Sequence, residues 1–174
     1  MAISDDDLII ACLNGDRASA HTLASKYLRV CYSIALSFLN NAEDAEDAAQ
    51  NAMISALSSL HQLSSTEKFK PWLYQIVRNT SKAHISKAAR HRTLAFDEVP
   101  DVESENNHTH TSIQRNDLIK AMEKLSKNER QVLLLYDLDG FNHKEIAAFT
   151  GFSEENSRQL LFSARKKLRK EIAS

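Results

Sequence analysis

NHKEIAAFTGFSEENSRQLLFSARKKLR, residues 142–169, reads as two helices and a tight turn. Lys144 to Thr150 carries a short apolar face of Ile146, Ala147 and Phe149. Gly151 supplies a position where positive φ costs little, which suits a helix end and a sharp reversal. Ser153 is a good N-cap, and Glu154 and Glu155 follow in the first turn, where negative charge complements the helix dipole. The second helix runs to about Arg169, with Leu160, Leu161, Ala164 and Leu168 on its inner stripe. Arg165, Lys166, Lys167, Arg169 and Lys170 crowd its last turns. Small Ala147 lets the helices cross closely, the arrangement of a helix-turn-helix whose second helix enters a major groove. An ordinary helical hairpin with a basic, solvated end accounts for the same residues.

Outward from this stretch the composition is helical. The chain of 174 residues holds only 3 Gly and 2 Pro, and is 43% hydrophobic and 26% charged. That length suits one ordinary domain or two small ones. No run is long and apolar enough to span a bilayer, and the N-terminus, MAISDDDLII, is acidic where a secretory signal would be basic. Cys12 and Cys31 lie in apolar helical patterns without CxxC spacing, as core residues of a reducing compartment do, so the expected location is the cytoplasm. No metal-ligand spacing, Gly-rich phosphate loop or nucleophile motif stands out. No cofactor, metal or catalysis is therefore expected.

Net charge is −1, but its distribution is uneven. Lys68 to Arg92 holds seven basic residues and no acid; Phe96 to Asn107 holds five acids and no base. The pattern predicts a polyanion-binding face beside an acidic tether.

The expected fold class is all-α: residues 1–92 and 112–174 form two small helical domains, and 93–111 forms a flexible acidic linker. Helices are expected over Ser4–Asn14, Arg17–Leu39, Ala42–Leu63, Phe69 to about Lys87, and Ser112–Leu125. Another starts at Ser126, where Ser126 and Glu129 form a capping box. In the third helix Ala45, Ala48, Ala49, Ala52, Met53, Ala56, Leu57 and Leu60 face inward, while Glu43, Asp44, Glu46, Asp47 and Gln50 face water. Those acids are either a solvated face or a patch for a basic partner. In the fourth, Leu73, Ile76, Val77, Thr80, Ala83 and Ile85 form the inner stripe. Trp72, Tyr74, Arg78, Asn79, Lys82, His84 and Lys87 surround it. Cations for phosphates and π-faces for unstacked bases suit a single nucleic-acid strand. Trp72 and Tyr74 fit a place in the core equally well.

The order of these elements resembles the extracytoplasmic-function group of bacterial RNA polymerase sigma factors. The resemblance rests on LIIACLNGDRASAHTLASKY, EDAEDAAQNA and FKPWLYQIVRN in the first domain, and on LSKNERQVLLLYDLDGFNHKEIAAFTGFSEENSRQLLFSARKKLR in the second. It implies a promoter-specific initiation factor without catalysis of its own. Asp44, Glu46, Asp47 and Gln50 would dock on the clamp helices of the polymerase β′ subunit, and the β flap is a further partner surface that the resemblance implies. Trp72, Tyr74, Arg78, Asn79, Lys82, Lys87 and Arg90, with the loop from Leu63 to Lys68, would read the −10 element as melted DNA. Lys144, Ser153, Glu155, Asn156, Arg158, Gln159 and Arg165 would contact the −35 element. The resemblance also implies an anti-sigma factor as a further partner, and a path for the acidic linker toward the RNA exit region.

The chain departs from the family pattern at five positions. Ser157 replaces an apolar residue, Leu160 and Ser163 stand where basic residues are usual, Asn51 replaces an acid, and His84 replaces Asp. A thinner set of phosphate contacts is expected at the −35 element. A decoy that binds an anti-sigma factor without initiating transcription is the alternative that these losses suggest. A stand-alone regulator using only the second domain would leave the acidic patch and the aromatic-basic helix without a purpose.

Overall fold

The computed structural model describes residues 3–94 and 120–172, and all regular structure among them is helical. Helix α1 (Asp5–Leu13) starts at Ser4, whose hydroxyl accepts from the Asp7 amide at 3.1 Å. Gly15, at φ +87°, and Asp16 end it and open α2 (Arg17–Leu39), which Asp16 caps through the amides of Ala18 and Ser19. Asn40 adopts the left-handed conformation (φ 52°), and Asn41 then caps α3 (Ala42–Ser58). After two short 3₁₀ turns comes α4 (Phe69–Leu94). In the second half, α5 (Lys127–Leu133) widens into a π turn over Leu134–Leu138. Helix α6 (His143–Thr150) and helix α7 (Glu154–Ile172) follow.

The expected capping box is present. The Ser126 hydroxyl accepts from the Glu129 amide, and the Glu129 carboxylate accepts from the Ser126 amide at 2.7 Å. A second box, Asn142 with Glu145, starts α6. Gly151 ends α6 at φ +77°, and the Ser153 hydroxyl accepts from the Asn156 amide at 3.0 Å. The helix-turn-helix is therefore built as its sequence predicts.

Four expectations need correction. The third helix stops at Ser58 rather than Leu63. There the hydroxyls of Ser58 and Ser59 donate to the carbonyls of Ile54 and Ser55, competing with further helix. The fourth runs past Lys87 to Leu94. Its inner stripe also drifts: Ser81 is fully buried and donates to the Val77 carbonyl at 2.8 Å, whereas Ala83 and Ile85 are exposed. Steps of four from Leu73 and Val77 reach Ser81, and the next inward place falls on His84. The linker over 93–111, and Ser112–Leu125 up to residue 119, lie outside the described residues apart from the end of α4. Met122–Lys124 forms a 3₁₀ turn rather than the end of an α-helix.

Alanines 45, 48, 49, 52 and 56 of α3 are all buried, and with no bulk to hold it off, α3 packs closely along α2. Leu23, Tyr27, Val30, Ile34, Leu73 and Val77 complete this core. Ser33 to Phe38 of α2 are buried all round the helix. A helix buried on every side has a second neighbour, and here it is the other half of the chain. Helix α5 and the π turn pack on α2, and α6 packs on α4. The two halves thus share one continuous core, a relationship the sequence left open.

Candidate nucleic-acid interface

Helix α7 presents the most exposed polar face of the helix-turn-helix. Asn156, Arg158 and Gln159 are exposed, as is Lys144 at the start of α6. Ser153 is committed to the cap. The Arg158 guanidinium lies 3.1 Å from Glu154 and 3.9 Å from Glu155, and the Gln159 amide donates to Glu155 at 3.2 Å. These are surface pairs one helical turn apart, held weakly and free to exchange partners. Arg165 is engaged differently: it reaches back to Asp137 through two nitrogens and lies 5.4 Å from the centre of the Tyr136 ring. Of the seven residues expected at a −35 contact, Arg165 is the one tied to another element.

The residue that sequence reasoning missed is Phe162. Its side chain is 73% exposed on α7, along a groove lined by Arg158, Arg165, Lys166 and Arg169. A large apolar group set in water among cations suits a thymine methyl between two phosphates. Its position off the Leu161–Ala164–Leu168 stripe was the available signal.

Ser157 lies on the inner side of α7, fully buried, and its hydroxyl meets Nδ1 of His143 at 2.9 Å. The His143 ring stacks on Tyr136 with centroids 4.8 Å apart. Burial lowers the His143 pKa and Arg158 lowers it further, against a smaller opposing effect of Glu154, so the imidazole is neutral near pH 7. Ser163 also faces inward, donating to Glu129 at 2.5 Å, and Lys167 reaches the same carboxylate at 2.8 Å. Burial raises the Glu129 carboxyl, but donors from Lys167, Ser163 and Ser126 outweigh it and bring the pKa down to about 2. Two of the departures from the family pattern, Ser157 and Ser163, thus serve as internal struts that aim α7.

On the first half, α4 carries the aromatic-basic set. Asn79, Lys82, Lys87 and Arg90 are exposed, Arg78 is half-buried, and Trp72 is half-buried with its ring 6.2 Å from Phe69. Trp72 borders a groove with Leu63, Ser64, Lys68 and Pro71, which joins it to the loop expected to act with it. Tyr74 does not join this face. It is 7% exposed and its hydroxyl donates to Gln131 of the other half at 3.3 Å.

The acidic patch lies on α3. Glu46, Asp47 and Gln50 are exposed; Asp44 is half-buried, with Oδ1 3.0 Å from Nε2 of His84. The two positions read as separate oddities, an acidic patch and a histidine in place of Asp, are therefore one contact. Beside Glu46 and Gln50, α2 contributes Ser25, Leu28, Arg29 and Tyr32 to a shallow groove. Among the described residues no helix is long and apolar enough to cross a membrane.

Comparison with known proteins agrees with this layout. Residues 23–91 match the model of sigma-70 region 2, and residues 115–168 match that of sigma-70 region 4. The chain is 29% identical over 145 residues to the ECF RNA polymerase sigma factor SigM of Bacillus subtilis, covering 82% of this chain and 88% of that protein. It is 24% identical to the ECF RNA polymerase sigma-E factor of Escherichia coli K12, over 94% of this chain and 91% of that one. Its fold is similar to that of CnrH, solved in complex with the cytosolic domain of CnrY, with a TM-score of 0.71 at 18% identity over 98% of both chains. With region 2 and region 4 matched in order over more than two thirds of its length, the chain belongs to the extracytoplasmic-function group of the sigma-70 family.

Proposed function

We propose the following division of labour within this sigma factor, an alternative specificity subunit that binds RNA polymerase and promoter DNA. Helix α7 enters the major groove of the −35 element. Arg158, Gln159 and Asn156 meet base edges and phosphates there, Phe162 adds an apolar contact, and Lys144 binds backbone from α6. Ser153 and Glu155 shape the first turn that approaches the DNA, and Arg165 supports from its edge. Helix α4 takes the melted −10 strand, with Trp72 for bases and Arg78, Asn79, Lys82, Lys87 and Arg90 for phosphates, while Tyr74 packs against Gln131 of the other half. Asp44, Glu46, Asp47 and Gln50 dock on the β′ clamp helices, and the second half meets the β flap.

Sigma factors regulate transcription and are not enzymes, and we assign this chain no catalysis and no cofactor. Its place is the cytoplasm, with the polymerase. An anti-sigma factor is a fitting further partner, since CnrH was solved with CnrY and a similar sigma factor, RpoE of Bartonella quintana, with the anti-sigma factor NepR.

The observation that carries this reading is the exposed face of α7, Asn156, Arg158, Gln159 and Phe162, on an internally braced helix-turn-helix. A decoy has no need of that face. Reconstitution with bacterial core RNA polymerase, followed by run-off transcription from a genomic fragment library, tests the function directly. Discrete transcripts that depend on the added chain are expected. Binding to polymerase without transcripts would overturn initiation, and binding only to an anti-sigma domain would establish the decoy.

A further inference from the structure

A groove of 290 Å³ runs between α4 and the second half of the chain. Three cations line it: Arg78 and Lys82 from α4, and Lys127 from the first turn of α5. No acidic side chain lines it. Among the described residues no carboxylate lies within salt-bridge reach of any of the three. Arg78 has a long contact to the Gln75 side chain at 3.5 Å, and the Lys127 ammonium lies 4.7 Å from the centre of the Phe38 ring. Neither contact neutralises a charge.

Positions 78 and 82 are one helical turn apart, so the two α4 cations stand side by side and repel each other. The packing of the halves then adds a third cation to the same groove. Three like charges gathered without a counter-charge are stabilised most by an anion that meets all of them.

The rest of the wall narrows the kind of anion. The fork of an arginine and the point charges of two lysines suit phosphate oxygens. The exposed Asn128 amide adds a neutral donor, and the half-buried Phe152 adds an aromatic ring. The groove has the volume of about ten water molecules, which admits a short chain of phosphates and excludes a duplex.

From these relationships we infer that the groove is a binding site for a small anion carrying a di- or triphosphate group, held by Arg78 and Lys82 on one side and Lys127 on the other. The ligand is a free small molecule, and Lys127, Asn128 and Phe152 have no part in the contact with promoter DNA. Inorganic polyphosphate and a nucleoside triphosphate share this chemistry; only the nucleotide has a base to lay against Phe152. One consequence rests on the reading of α4 as the holder of the −10 strand. Ligand and strand then claim Arg78 and Lys82 alike, and each excludes the other.

Isothermal titration calorimetry on the full chain at low salt tests the site, with sodium tripolyphosphate, ATP and adenosine as probes. Tripolyphosphate and ATP are expected to bind one to one, and adenosine not at all. Lys127 is exposed, so Lys127→Gln removes the charge and leaves the fold intact, checked by circular dichroism. It is expected to weaken both phosphate probes about tenfold. Lys124→Gln, at an exposed lysine outside the groove, is expected to change neither. Absence of binding overturns the site, as does adenosine binding as tightly as ATP. An equal loss in K124Q and K127Q overturns it too, since it would mean diffuse attraction to a basic surface. ATP binding tighter than tripolyphosphate supports a nucleotide site, and equal affinities support a site for the phosphate chain alone.

Anisotropy with a labelled single strand of about 12 nucleotides reads the consequence. Tripolyphosphate is expected to displace the strand, and to need about tenfold higher concentration with K127Q. Calorimetric binding without displacement withdraws Arg78 and Lys82 from the −10 strand and leaves the anion site standing.

Discussion

The Oγ of Ser157 meets the Nδ1 of His143 at 2.9 Å, joining the two helices of the helix-turn-helix beneath the exposed polar face of α7. The family usually places an apolar residue at this position of α7. Here a hydrogen bond spans the crossing instead, and the stack of His143 on Tyr136 fixes the ring that shares it. Polar atoms inside such a crossing bind only one relative placement of the helices well, which makes the contact directional where an apolar one would slide.

Ser157→Ala removes that hydroxyl and leaves a half-buried ring nitrogen without its partner. A loss of about 1 kcal/mol is expected, which lowers Tm by roughly 2–4 °C for a chain of this size folded around one core. Thermal denaturation followed by circular dichroism measures it. An unchanged Tm would show that water replaces the hydroxyl at no cost.

Glu129 gives a pH dependence with a definite sign. Its carboxyl titrates at about 2 in the fold against 4.5 as its ordinary value. The folded state therefore holds the proton less tightly than the unfolded one. The stabilisation is fully present above pH 4.5 and is lost as pH falls from there toward 2. Its size at neutral pH is on the order of 3 kcal/mol. Glu129→Gln should lower stability at pH 7 by that order and flatten the acid limb of a stability–pH curve measured by urea denaturation. A parallel acid limb in the variant would remove Glu129 from the account.

Arg158→Ala should weaken binding to a −35 duplex by about tenfold and reduce the slope of log K against log salt by about one. Because Glu154 holds the guanidinium at 3.1 Å, Glu154→Gln should act in the opposite direction, releasing the cation and removing a repelling acid. Anisotropy titrations over a range of salt concentrations distinguish the two effects. Equal affinities for all three proteins would exclude Arg158 from the interface.

Glu46→Lys with Asp47→Lys should reduce affinity for core polymerase while leaving the melting curve in place, since both side chains are exposed. Asp44 is less suited to this test because it also holds His84 at 3.0 Å, so its removal mixes docking with packing. Co-sedimentation with core polymerase provides the measurement, and full retention of binding would move the docking surface elsewhere.

What the sequence determined alone was mostly local. Ser4, Ser126 and Ser153 announce helix starts because a cap needs only a side-chain oxygen within a few residues. Gly151 announces the turn because few other residues take positive φ cheaply. The alanine face of α3 and the apolar stripe of α7 follow from helical period, and with them the all-α class and the order of its motifs. The polar face of α7 was legible by the same rule, except for Phe162, an apolar side chain lying where the period places polar ones.

Only the tertiary structure decided what depends on residues distant in sequence. No pattern around Tyr74 distinguishes a base-stacking tyrosine from a buried one; Gln131, 57 residues on, makes the difference. Ser157 and Ser163 read as missing DNA contacts until His143 and Glu129 appear beneath them. His84 meets Asp44, and Arg29 meets the Leu138 carbonyl, because the packing of helices brings together positions 40 and 109 residues apart. Periodicity tells which face of a helix is turned inward, but a helix such as α2 with two inward faces does not say what covers each. That assignment belongs to the packing, and in this chain it sets which side chains are buried between the halves and which stay exposed.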